Sequence, residues 1–206
     1  TIAYEIFHNL LRAMNLRDKG YDHVFHTAVA SAMGAARVLN LTMDQTLNAL
    51  ALAVTPNLAL GATRRGSLSM WKGSAAGNAG RNGVFAALLA AAGMTGPDKV
   101  VEGAHGLYDV LGKFELQPCT EPRGNFRIGE SNLKYFLAEY HALSPITAAL
   151  EVHKQVAVEN IESVAIDTYW MTWSEIGSEP EKWHPTTRET ADHSLPYIIA
   201  AVLIDG

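Results

Sequence analysis

A mainly α-helical chain, with an all-helical region followed by a smaller α+β one, is the fold class this sequence predicts. Three observations lead there. Apolar residues recur at three- and four-residue spacing through residues 1–112, the pattern of amphipathic helices. A stretch over 117–131 with Pro118, Pro122, Gly124 and Gly129 then interrupts the pattern, as a linker or hinge would. Beyond it, an alternating run through Ile161, Val164, Ile166 and Thr168 follows a helical segment, which reads as part of a β-α-β unit. The predicted division is a helical domain over 1–116, a linker over 117–131 and an α+β domain over 132–206.

In chain order, Tyr4, Ile6, Phe7, Leu10, Leu11 and Met14 share one helical face. Asp22 is placed to cap a run over 23–39 in which Val24, Ala28, Ala32, Ala35, Ala36 and Leu39 recur at helical spacing. Thr42 to Gln45 has the form of a capping box opening a helix over 43–54, which Pro56 ends. Residues 73–92 are mostly Ala and Gly; they permit close backbone approach but contribute little burial each, so this helix is expected to be enclosed by neighbours, with Lys72 at its mouth. A buried ammonium there needs an anion, from the protein or a ligand. Gly93 and Gly96-Pro97 are stop signals, and two short helical turns are expected over 97–111. Past the linker, 132–136 reads as a short strand, Ser144-Pro145 as a cap opening a helix that runs on over 147–158, and 161–168 as a strand extended by Tyr169 and Trp170. Asp192 or Ser194 starts a last helix, with Pro196 tolerated in its first turn.

Composition excludes several functions. With 16 Lys and Arg against 21 Asp and Glu and no basic run, nucleic acid is not an expected partner. Cys119 is the sole cysteine, so an intrachain disulfide, an iron–sulfur cluster and a multi-cysteine zinc site are excluded, and a reducing cytoplasm fits. The apolar stretches over 47–60 and 84–93 are too short to span a bilayer, and no membrane association is expected. His8, His26, His105, His153 and His184 show no metal-ligand spacing, and no metal is predicted. The start at Thr1 without methionine and the end at Gly206 directly after a helical run suggest part of a longer chain.

Gly20-Tyr-Asp-His-Val24, the Ala-rich helix after Met70-Trp-Lys72-Gly, the stop Gly93-Met-Thr-Gly-Pro97, Lys134 with Glu139-Tyr-His141, and Ala191-Asp-His-Ser-Leu-Pro-Tyr197 occur in one order along the chain. Together they resemble the MmgE/PrpD family, whose members include 2-methylcitrate dehydratase, cis-aconitate decarboxylase and an iminodisuccinate epimerase. The resemblance implies a helical domain and a smaller α+β lid with the pocket between them, further residues beyond both ends, and a homodimer. It implies a cofactor-independent lyase acting on a small di- or tricarboxylate, with dehydration the first choice and decarboxylation or epimerisation the alternative. A helical scaffold that keeps the fold without a working pocket is the non-enzymatic alternative.

The resemblance places His23 with the family's active-site histidine and Lys72 and Lys134 with its two lysines. His23 is then the proton-transfer residue and the lysines clamp substrate carboxylates. His141, Asp192 and His193 are assigned to the pocket wall or its support. Arg64 offers a bidentate partner for a carboxylate. Each has a plainer reading: His23 as a polar neighbour of a helix cap, Lys72 snorkelling from a helix end, Lys134 as a solvated edge residue, Asp192 as an N-cap, Arg64-Arg65 in loop salt bridges. Trp170, Trp173 and Trp183 are read as lid packing or a dimer contact.

Overall fold

The computed structural model describes residues 1–117 and 126–206. The chain divides into two units: Thr1–Arg64 with Trp71–Ser131, and Arg65–Met70 with Asn132–Gly206. Pro118, Cys119, Pro122 and Gly124, on which part of the expected linker rests, lie outside the described residues.

The first unit is built from α1 (Ile2–Ala13), α2 (Val24–Val38), α3 (Met43–Val54), α4 (Trp71–Ala91) and the short α5 (Leu107–Leu111). The capping box forms as read: Gln45 N–H donates to Thr42 Oγ1 at 3.2 Å and Thr42 N–H to Gln45 Oε1 at 3.0 Å. Leu10, Met14, Leu16, Phe25, Val29, Val54 and Leu107 make the main core. A side chain such as Phe25 contributes about 1.5–3 kcal/mol by leaving water.

Against α2 and α3, α4 packs by a different means. Its Ala75, Ala79, Gly83, Ala86, Ala87 and Ala90 are buried, and a Cβ added at Gly83 would lie 2.1 Å from the Ala28 carbonyl oxygen. The helices therefore meet backbone to backbone, which only Gly and Ala permit. This corrects one expectation. α4 is enclosed on one face only, with Trp71, Val84, Phe85 and Leu88 exposed on the other, and Lys72 is half-buried. Close approach requires small residues on the contacting face alone. A second correction concerns 97–111, where turns replace the first expected helical turn and only Leu107–Leu111 is helical. The described ends of the expected linker are fastened to α1: Gln117 pairs with the Asn9 side chain, and the turn Arg127–Glu130 bonds Glu5 and Arg12.

The second unit contains α6 (Leu143–His153), α7 (Trp170–Ile176), α8 (Arg188–Ala191) and α9 (Leu195–Asp205). Ala142, Ile146, Ala149, Ile176, Leu195, Ile198, Ile199 and Leu203 form its core. Ser194 caps α9, accepting from Tyr197 N–H at 3.1 Å. The segment 65–70 is secured by Leu68, whose N–H donates to Thr190 Oγ1 at 2.9 Å and whose carbonyl accepts from Thr187 Oγ1 at 2.8 Å.

Neither predicted strand is present among the described residues. Residues 132–134 and 161–169 lie in no regular element, and Trp170 opens α7 instead of ending a strand. Alternation specifies which face a strand would bury, but a ladder requires a neighbouring backbone, and the described residues supply none there. Ser144 is not a cap either: α6 begins at Leu143, after a turn over Tyr140–Ala142 that Glu139 caps by accepting from His141 N–H at 2.6 Å, and it ends at His153. Trp170, Trp173 and Trp183 are largely exposed; the Trp183 indole N–H donates to the Gly177 carbonyl at 2.9 Å.

Candidate active site

In the first unit, a turn and a loop meet ahead of α2. Gly20, in the left-handed region at φ 80°, ends the turn Arg17–Lys19. Tyr21 forms an isolated antiparallel bridge with Leu60, supported by Asp22 N–H donating to Ala59 O and Gly61 N–H to Gly20 O, both at 2.8 Å. A Cβ at Gly61 would fall 2.8 Å from the Gly20 carbonyl oxygen, so this approach depends on glycine. The bridge lays the loop that ends at Arg64 alongside Asp22 and His23.

Asp22 is only 1% exposed. Its Oδ1 accepts from Val24 N–H at 3.2 Å and from Arg64 Nε at 2.9 Å, and lies 3.4 Å from His23 Nδ1. Its Oδ2 is buried without a partner. The His23 ring remains 41% exposed. Burial, and then the Arg64 guanidinium, push the His23 pKa below its ordinary value of 6.5; Asp22 opposes this, and Arg17 and Lys72 add to it. His23 is consequently a neutral imidazole at pH 7, with a lone pair able to take a proton.

Lys72, the second residue of α4, stands close enough for its charge to act on His23. The N-terminal end of a helix disfavours a cation and favours an anion, so an anion here is attracted by both the ammonium and the first-turn amides. A cavity of about 120 Å³ is lined by Val24, Thr63 and Trp71, the chain neighbours of His23, Arg64 and Lys72, and by Asn57, Asn78 and Asn82, while His23, Arg64 and Lys72 themselves are not among its lining residues. A cavity of about 1170 Å³ lies in the second unit, among α6, α9 and residues 160–169. Its lining is mostly apolar and includes no Lys, Arg or His.

His26, one helical turn beyond His23, is 1% exposed. It sits edge-on to Phe7 and Phe25, each with ring centroids 6.0 Å away. Neither ring nitrogen has a hydrogen-bond partner, and burial, followed by His23, holds its pKa down to about 4.

The remaining predicted residues belong to the second unit. Lys134 is exposed and donates to the Ala138 carbonyl at 2.8 Å, curling over its own turn instead of standing on a strand. His141 Nδ1 lies 2.6 Å from the Tyr169 hydroxyl. Asp192 ends α8 instead of opening α9, with its carboxylate 3.7 Å from the Arg188 Nε, because Ser194 takes the cap of α9. The Asp192 carbonyl accepts from Glu139 N–H at 3.1 Å, which joins the 139–141 segment to Asp192 and His193. His193 Nδ1 lies 3.1 Å from the Glu189 carbonyl oxygen.

Two charged groups escaped the sequence reading. Asp22 was read only as a helix cap, although its place directly before His23 was a signal. Lys182 is 1% exposed, 3.7 Å from Glu179, within a polar stretch that gives no hint of burial. Of the arginine pair, Arg64 bonds Asp22, while Arg65 lies 3.9 Å from Glu179 in the second unit.

Residues 1–117 match the MmgE/PrpD N-terminal domain and residues 136–206 the MmgE/PrpD C-terminal domain. A protein named 2-methylcitrate dehydratase from Salmonella typhimurium is 31% identical over 91% of this chain and 40% of its own length. One of the same name from Cupriavidus necator is 30% identical over 99% of this chain and 43% of its own. The mitochondrial 2-methylcitrate dehydratase of Yarrowia lipolytica is 29% identical over 99% and 40%. The chain therefore spans about two-fifths of the length of these relatives.

Proposed function

This chain belongs to the MmgE/PrpD family, and on that premise we propose that its protein is a lyase dehydrating a small hydroxy di- or tricarboxylate of the 2-methylcitrate kind. Taking a proton from carbon beside a carboxylate places extra negative charge on that carboxylate, so the reaction needs a neutral base and fixed cations around it. His23 is the base; its lowered pKa keeps the lone pair available at pH 7. Arg64 and Lys72 hold carboxylates and stabilise the developing charge. The family resemblance assigns Lys134 as the second lysine clamp and His141, Asp192 and His193 to the pocket wall or its support. The C–O bond on the neighbouring carbon then breaks as the C=C bond forms, and the hydroxyl leaves as water with the proton that His23 has taken up.

The observation that carries this reading is a neutral histidine set beside two cations, one from the 59–64 loop and one from the start of α4. The names of the relatives support the choice of dehydration. The homodimer is part of the same proposal and is checked by sedimentation of the full-length protein.

Purified full-length protein mixed with 2-methylcitrate, citrate, cis-aconitate and iminodisuccinate is expected to give rising ultraviolet absorbance from a new C=C bond with 2-methylcitrate. Carbon dioxide release from cis-aconitate, or loss of optical rotation with iminodisuccinate, would replace dehydration by decarboxylation or epimerisation. Inactivity on all four would remove the substrate class.

A further inference from the structure

The strangest group in the first unit is the Asp22 carboxylate. It is buried, yet all its contacts fall on one oxygen: Val24 N–H, Arg64 Nε and His23 Nδ1 gather at Oδ1, while Oδ2 has none. A carboxylate present only to pair with arginine is best served by two parallel bonds to the two ends of the fork. Here Arg64 is gripped at Nε, and its two Nη groups make no hydrogen bond among the described residues. A plain N-cap would need neither the arginine nor the histidine.

We propose that Asp22 is a positioning residue, which holds His23 as the Nδ1–H tautomer and anchors Arg64 by Nε so that its Nη edge is left for a substrate carboxylate. An ionised carboxylate can only accept, so the ring nitrogen facing it is favoured in its protonated form. The proton on Nδ1 leaves the lone pair on Nε2, the nitrogen directed away from Asp22. The Asp22 side chain is buried, so bulk water does not compete for its oxygens. This rests on the assignment of His23 as base and adds what orients it. Charged and titratable groups acting on His23 are Asp22, Arg64, Arg17 and Lys72, together with His26 on the same helix.

The decisive measurement is the tautomer of His23 in ¹⁵N-labelled full-length protein, read from imidazole nitrogen shifts above its titration range. Nδ1–H is expected; Nε2–H overturns the proposal, whether or not any variant folds. Asp22→Asn, checked for folding by circular dichroism, is expected to mix the tautomers and to lower kcat about 10- to 100-fold, a part of the ~10²–10⁴ that a positioned base supplies. Its KM should rise as Arg64 loses its anchor. Because the Asp22 charge raises the His23 pKa, the acid limb of kcat/KM should move to lower pH in this variant. Arg64→Gln, which keeps Asp22, should preserve the tautomer and move that limb to higher pH. An Asp22→Asn protein with wild-type tautomer, kcat and pH profile overturns the proposal. Absence of turnover on every polycarboxylate would strike the lyase assignment alone, since the tautomer would still decide for or against Asp22.

Discussion

The two units are held together by different means. In the first, α2, α3 and α4 meet through Ala and Gly at backbone distance, and a buried carboxylate ties a loop to a helix start. In the second, one cluster of larger side chains from α6, α7 and α9 makes the core, and residues 162–170 stay exposed. Tight backbone approach leaves no slack for added atoms, whereas an exposed segment tolerates nearly any side chain. The first unit is therefore where a substitution should cost most.

The largest contrast is expected in catalysis. Lys72→Ala should reduce turnover about 100- to 1,000-fold, the loss seen when one stabilising donor is removed, while circular dichroism and the melting temperature stay near wild type. Turnover within a few-fold of wild type would take Lys72 out of the mechanism.

Next comes acid sensitivity, which should be concentrated on His26. Its folded pKa of about 4 lies below the ordinary 6.5, so the unfolded chain takes up the proton first as pH falls. The stability it leaves intact above pH 6.5 drains between 6.5 and about 4, by roughly 3 kcal/mol at about 1.4 kcal/mol per pH unit. His26→Leu should abolish much of this loss and be near neutral at pH 7, because no hydrogen bond is forfeited. Urea titrations of both proteins at pH 7 and pH 5 would expose any error in that sign.

Gly83→Ala tests the backbone contact itself. With its Cβ 2.1 Å from the Ala28 carbonyl oxygen, the helices must shift, at a cost of about 1–3 kcal/mol in denaturant unfolding. The smallest effect belongs to the second unit: Val164→Ser, on an exposed segment, should stay within about 0.5 kcal/mol. A Val164→Ser loss as large as that of Gly83→Ala would erase the contrast between the units.

Where an element depends only on its own residues or on helices close in sequence, it was legible. The reciprocal cap at Thr42 and Gln45 and the stop at Gly93 follow from local hydrogen bonding and helical period, and the structure has them; the helix expected over 23–39 is present as Val24–Val38, with His23 and not Asp22 at its N-cap position. The expected strand over 161–168 needed a partner that spacing cannot name. Asp192 and Ser194 both suited a helix start, and the fold used Ser194. Among the site residues, His23, Lys72, Lys134, His141, Asp192, His193 and Arg64 were singled out by motif or residue type. Nothing in those signals indicated that Arg64 would face Asp22 across 42 residues of chain.

By itself, then, the sequence determined the four long helices within the first 91 residues, the small-residue face of α4 and the chemical types available for acid–base work, since these follow from period and side-chain chemistry. Tertiary structure alone decided that Lys182 and His26 are buried, that Asp22 uses a single oxygen, and that the His23 pKa is pushed below its ordinary value. Burial and charge proximity depend on which distant residues come to lie alongside, and a desolvation penalty exists only once they do.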